Sequence, residues 1–149
     1  MAKVSIYLNF NRNTEEAFLF YQSVFGTEFI GDIARMGDVP ESDDMSTLSE
    51  EDKNLVMHVA LPLFGDMVLM GTDAPESMGF NLNQGNNIYI NLEPDTRAET
   101  EDLFAKLKEG GEVEMELQEM FWGDYFGSLT DQFGIKWMFN CTEKIQEEK

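Results

Sequence analysis

Residues 5–10, Ser-Ile-Tyr-Leu-Asn-Phe, and residues 87–92, Asn-Ile-Tyr-Ile-Asn-Leu, align without a gap. They share isoleucine, tyrosine and asparagine at matching places. Each alternates two kinds of side chain, as a strand with two different faces requires. Each is also followed by a helix-start signal, an amphipathic stretch and glycine. The repeat predicts a chain built twice from one strand–helix–strands unit. A unit of that kind has one apolar sheet face to bury, so two copies are expected to share a cleft where a ligand would sit.

Working outward, the first copy opens with a strand at about 3–10. Asn13 precedes Thr14-Glu15-Glu16, an N-cap signal, and Ala17, Phe18, Tyr21, Val24 and Phe25 follow at helical spacing up to Gly26. Strands are expected near 28–35, 55–63 and 66–71, the last two joined by a turn at Gly65-Asp66. Residues 36–54, rich in Asp, Glu, Ser and Gly, read as a mobile surface loop. A connector over about 75–86 separates module one (about 1–74) from module two (about 87–149). The second copy repeats the pattern. Thr96 and Glu99 form a Thr-x-x-Glu capping box, Leu103, Phe104 and Leu107 give the buried stripe, and Gly110-Gly111 ends the helix. Strands follow at 112–118, 125–130 and 135–141. The 82-residue offset of the hexamers also sets Thr14 on Thr96, Tyr21 on Leu103 and Phe25 on Leu107. The fold class is therefore α+β: two βαβββ modules, eight strands in all, forming one domain.

Composition narrows the function. The 149 residues carry 29 acidic and 10 basic side chains, a formal charge of −19. Such a surface repels phosphate backbones and anionic lipid, so no nucleic acid and no membrane is expected as partner. The acidic runs at 41–52 and 143–149 read as solvated segments that serve solubility. No apolar run approaches the roughly 20 residues of a membrane helix. The start of the chain does not resemble a signal peptide, and the single Cys141 excludes an internal disulfide framework, so the expected location is cytoplasmic.

Several strings resemble the PhnB-like branch of the vicinal oxygen chelate superfamily, which holds glyoxalases, bleomycin-resistance proteins and dioxygenases. They are Tyr7-Leu8-Asn9-Phe10, Glu16-Ala17, Phe20-Tyr21, Val24-Phe25-Gly26, Met57-His58-Val59-Ala60-Leu61 and Phe121-Trp122-Gly123-Asp124. The most specific is Thr130-Asp131-Gln132-Phe133-Gly134-Ile135-Lys136-Trp137-Met138, in which Gln132 stands where the branch usually has proline. The branch is also labelled as similar to a 3-demethylubiquinone methyltransferase. The resemblance implies curled sheets enclosing a cleft, and a homodimer, which would also cover exposed sheet edges. In the enzymes of the superfamily four side chains hold a divalent metal. Carried over by strand position, those places fall on Ser5, Met70, Asn87 and Met138. Neutral oxygens and thioethers suit catalytic divalent ions poorly, so no metal and no cofactor is expected.

Among single residues, His58 is the one histidine and the candidate acid or base, because imidazole exchanges protons near neutral pH; half-buried sheet packing is its plainer role. Tyr7, Tyr89 and Trp122 are candidates to stack a flat or cationic ligand. Asn9 and Asn91 occupy matching places, facing away from the helix side, and offer amide hydrogen bonds. Met138 completes the candidate ligand-binding set. Trp137 reads as core, with Ile135 and Phe139 on its face. Asp131 reads as a turn residue bonding its own backbone, and Cys141 lacks the neighbours of a reactive thiolate. No Gly-x-Gly-x-x-Gly follows a strand, which leaves nucleotide binding and a methyltransferase of the usual cofactor-binding fold without support. The expected function is metal-independent binding of a small aromatic or cationic molecule. The alternatives are a glyoxalase- or dioxygenase-type enzyme, metal-dependent or using His58, and a structural protein with a filled cleft.

Overall fold

The computed structural model describes residues 2–39 and 48–144. The chain forms two compact units, Met1–Asn83 and Gln84–Lys149. In the first, β1 (Ile6–Phe10), α1 (Thr14–Phe25), β2 (Ala34–Arg35), α2 (Glu50–Lys53), β3 (Val56–Pro62) and β4 (Val68–Asp73) follow in order. In the second they are β5 (Ile90–Leu92), α3 (Arg97–Leu107), β6 (Glu112–Glu119), β7 (Tyr125–Thr130) and β8 (Lys136–Cys141). Each unit holds a four-stranded mixed sheet, ordered β1-β4-β3-β2 and β5-β8-β7-β6. The opening strand of each copy runs parallel to the last one, and the other pairs are antiparallel. The strand–helix–three-strand order thus occurs twice.

Sequence explains why one face of each sheet is covered. On α1, Thr14, Ala17, Phe18, Tyr21 and Val24 are buried, the spacing of a single helical stripe. Opposite them lie Phe10, Leu69, Gly71 and Asp73. Gly71 is required there, since a Cβ at that position would stand 2.5 Å from Phe18 Cε1. Asp73 is 3% exposed. Its carboxylate accepts from Thr14 N (3.1 Å), Thr14 Oγ1 (2.7 Å) and Val56 N (2.8 Å), tying the start of the helix to two strands. In the second unit α3 buries Thr100, Leu103, Phe104 and Leu107 against Trp137, Phe139 and Cys141, all fully buried. Phe104 meets Phe139 edge-on at 5.4 Å.

Several expectations need correction. The strand expected at 28–35 contracts to β2, because Gly31 adopts a left-handed φ of +71° that breaks extended backbone. One ladder-like bond from Ile30 N to Ala60 O (2.9 Å) survives upstream. The strand expected at 87–92 contracts to β5; Ile88 is 77% exposed, so alternation there finds no core to face. The loop at 36–54 carries a 3-10 turn at Met36–Asp38 and the short α2, capped by Ser49 Oγ accepting from Asp52 N (3.1 Å). Residues 40–47 of that loop lie outside the described residues. Asp52 is held by Ser77 Oγ (2.5 Å) and by Arg12 Nη1 (2.7 Å), and these bonds keep its carboxyl below the usual range. Asn13 makes no side-chain cap on α1; Asp73 does that work from a distant strand.

The helices also align differently from the strands. The buried positions 14, 17, 18 and 21 of α1 match 100, 103, 104 and 107 of α3. The stripe of α3 is displaced by about one turn relative to the hexamer offset, and Thr96 stands outside the helix as its cap, accepting from Glu99 N at 3.1 Å.

Candidate functional site

Side chains that alternate away from α1 form the open face of the first sheet. Tyr7 lies level with Met70, and Met70 with Ala60. Ser5, Val68 and His58 occupy the same face on neighbouring rungs. Together with Ile30 they line a hollow of about 310 Å³, whose rim adds Lys3, Val4 and Asp66. One of its lining residues, His58, meets a second residue singled out by sequence, Tyr7. Tyr7 Oη and His58 Nδ1 are 3.2 Å apart, and their rings lie 5.8 Å apart at 37°. Burial raises the Tyr7 hydroxyl above the ordinary tyrosine range, so it stays protonated at neutral pH. The pair has two proton arrangements: the phenol donates to a bare Nδ1, leaving Nε2–H as a donor, or accepts from Nδ1–H. Asn9, exposed, sits level with Thr72 on the same side.

On the second sheet the open face carries Tyr89, Asn91 and Met138, with Asn91 and Met138 level with each other. Here tyrosine meets a carboxylate. Tyr89 Oη donates to Glu114 Oε2 at 2.5 Å, and Thr130 Oγ1 donates to Glu114 Oε1 at 2.7 Å. Lys136 Nζ ion-pairs with Glu114, donates to Thr130 Oγ1 at 3.0 Å, and lies 5.2 Å from the centre of the Tyr89 ring. Lys136, Tyr89 and Thr130 together bring the Glu114 carboxyl down to about 2. Hydrogen bonding to Glu114 raises both Lys136 and Tyr89. The knot is neutral and internally saturated.

Trp122 belongs to the second unit. It is 48% exposed in the β6–β7 loop, packed edge-on against Phe121 at 4.8 Å and Phe126 at 6.5 Å. Asp124, two residues on in that loop, accepts from Lys144 (2.9 Å) and Asn140 (3.1 Å), which lower its carboxyl. Asp131 accepts from Phe133 N (2.8 Å), Ile135 N (3.1 Å) and Trp137 Nε1 (2.8 Å), a staple for the turn and the core. A shallower depression of about 480 Å³ beside that turn is lined largely by glycine backbone and Gln84, Glu112 and Gln132, and holds no candidate residue.

Strand register also tests the carried-over positions. Met70 is level with Tyr7, whereas Met138 is level with Asn91, the counterpart of Asn9. The counterpart of Met138 is therefore Thr72, and that of Met70 is Lys136. Sequence reasoning missed Lys3, Ile30, Asp66 and Val68 at the hollow, and Glu114, Thr130 and Lys136 on the second sheet. For Lys136 the signal was available: it lies one residue before Trp137, so alternation puts it on the open face.

The family described as 3-demethylubiquinone-9 3-methyltransferase matches residues 2–139. Protein YjdN of Escherichia coli K12 is 27% identical over 146 residues, 95% of this chain and 96% of that protein. Among solved structures, protein PA1353 from Pseudomonas aeruginosa is 35% identical with a TM-score of 0.79, covering 95% of this chain and 98% of that one. A PhnB protein from Bacillus cereus, titled a putative 3-demethylubiquinone-9 3-methyltransferase, is 25% identical with a TM-score of 0.71, covering 94% and 99%. A glyoxalase/bleomycin resistance protein/dioxygenase family enzyme from Burkholderia phytofirmans, at 21% identity and a TM-score of 0.61 over 92% and 97%, shares the fold. With two βαβββ units in this strand order and a match over almost its whole length, the chain belongs to the 3-demethylubiquinone-9 3-methyltransferase-like, or PhnB-like, family.

Proposed function

We propose that this protein binds a small, partly aromatic organic molecule without a metal, and that the hollow beside Tyr7 and His58 is where it does so. One observation carries the reading: in a hollow of about 310 Å³ an apolar floor of Ala60, Val68 and Met70 meets an imidazole, His58, which a phenol outside the lining, Tyr7, holds by a hydrogen bond. Ligand sites combine these elements, an apolar wall for affinity and a few polar groups for orientation.

The donor chemistry supports the metal-free part. Ser5 brings a neutral hydroxyl to the hollow, Met70 a thioether, His58 one imidazole and Asp66 one carboxylate. Catalytic zinc and non-haem iron are held by three imidazole, thiolate or carboxylate groups. Among the described residues no group of three or more His, Cys, Asp or Glu side chains is placed to hold a metal ion. The residues do not fit a resident metal. The methyl transfer named in the family's description has no glycine-rich nucleotide loop in this sequence to support it. Among the described residues no helix is long and apolar enough to cross a membrane. We propose further that the protein works in the cytoplasm and as a homodimer; sedimentation velocity reads the assembly directly.

A thermal-shift screen with indole, 2-naphthol, benzoate and benzamidine tests the reading, because a ligand that binds only the folded state raises the midpoint. At least one compound should raise it in the unmodified protein and lose most of that effect in His58→Ala. A set of compounds that shifts neither protein, or shifts both equally, overturns the assignment.

A further inference from the structure

The hollow has two chemically different ends. The paired register of β1 and β4 begins at Ile6 and Leu69; Lys3 and Ser5 precede it on one chain segment, Asp66 stands in the turn that leads into β4, and all three line the hollow. His58 lies at the other end, level with Ala34 on β2. Lys3 and Asp66 therefore bring opposite charges to one end of an apolar floor. Both are exposed, and neither forms an ion pair with a described residue.

Charge of both signs at one rim discriminates among occupants. A purely anionic head would meet Asp66 and the field of a chain of formal charge −19, and a purely cationic head would meet Lys3. A head that carries both signs satisfies both side chains at once. The volume, about 310 Å³, lies at the small end of the roughly 300–1,000 Å³ of ligand pockets, which limits the tail to one side chain's worth of apolar atoms.

We infer that the hollow recognises a small zwitterion, an ammonium–carboxylate head on an apolar tail. The carboxylate lies on Lys3, the ammonium on Asp66, and the tail runs over Val68 and Met70 toward His58. This rests on the reading that the hollow is the ligand site.

The test is a backbone-amide NMR titration of the full chain with phenylalanine, N-acetylphenylalanine and phenylalanine amide. They present the same tail with a zwitterionic, an anionic and a cationic head. Phenylalanine should shift the amides of Ser5, Val68 and Met70 and bind about three- to fivefold tighter than either capped form, the scale of an exposed ion pair. Asp66→Asn should bring phenylalanine level with N-acetylphenylalanine, and Lys3→Met should bring it level with the amide. If the capped forms shift the same amides at equal affinity, or if only the neutral aromatics of the thermal-shift panel do, the zwitterion is wrong and the site stands. If no compound of either set moves those amides, the site itself is wrong.

Discussion

Leu8 faces Gly71 across the parallel strand pair of the first sheet, and Ile90 faces Trp137 across the equivalent pair of the second. One step further on, Phe10 faces Asp73 and Leu92 faces Phe139. Same-numbered rungs of two sheets with one strand order thus hold the smallest residue in one case and the largest in the other. In the first unit the helix supplies the bulk, Phe18 and Tyr21, and the sheet recedes to glycine so that Phe18 can approach. In the second, Phe104 stands where Phe18 does, Leu107 replaces Tyr21, and the sheet adds the bulk through Trp137 and Phe139. Close packing demands that the space be filled and leaves open which layer fills it. That freedom allows two copies of one plan to drift to unrelated core residues while keeping strand order. The open faces diverged as well: Tyr7 meets a histidine at the edge of a hollow, and Tyr89 meets a carboxylate already neutralised by Lys136.

Trp137→Ala should do the most damage to the second core. It removes a fully buried indole and one of the donors to Asp131, and should cost about 3–5 kcal/mol in urea denaturation. A loss under about 1 kcal/mol would mean that the second core does not depend on bulk in the sheet. Next in size is Asp73→Ala, which leaves Thr14 N and Val56 N without their acceptor. Buried donors stripped of a charged partner cost about 1–3 kcal/mol, and amide exchange should quicken first in the opening turn of α1. Gly71→Ala is expected to cost about 1–3 kcal/mol by overpacking, since its Cβ would lie within 3.2 Å of Thr14 Cγ2 as well as against Phe18. Neutral behaviour there would show that α1 can slide away from the sheet.

How much of this was legible in the sequence follows from the range of each interaction. Period-two alternation identified Trp137 and Phe139 as core, and both are fully buried. Asp131 was recognisable as a turn residue because its acceptors' partners, Phe133 N and Ile135 N, lie within four positions. Asp73 capping Thr14 was not, since 59 residues separate the two. Helix alignment failed for a different reason. Leucine and phenylalanine recur along both helices, so matching by hydrophobic class tolerates a slip of one turn. At the candidate site, Tyr7 and His58 were each visible as polar groups on strands, but their meeting depends on β4 lying between β1 and β3. Lys3 and Asp66 looked like ordinary surface charge, and only the folded chain brings both to one rim.

The smallest expected effect separates the two open faces by pH. Glu114 titrates near 2 in the folded chain, below the ordinary glutamate value of 4.5, because Lys136, Tyr89 and Thr130 favour its charged form. A depressed carboxyl contributes stability that is whole above the unfolded value and is lost as pH falls through the folded one. Glu114→Gln should therefore be less stable than the unmodified protein at pH 6, by under about 1 kcal/mol once exposure to solvent is discounted. The difference should shrink as pH falls from about 4.5 toward 2. Salt should reduce it too, since the pair lies within reach of counter-ions. Denaturation midpoints of both proteins across that range provide the measurement. A gap that stays constant with pH would show that the knot around Tyr89 is held by shape rather than charge, and would remove the contrast drawn between it and the Tyr7–His58 pair.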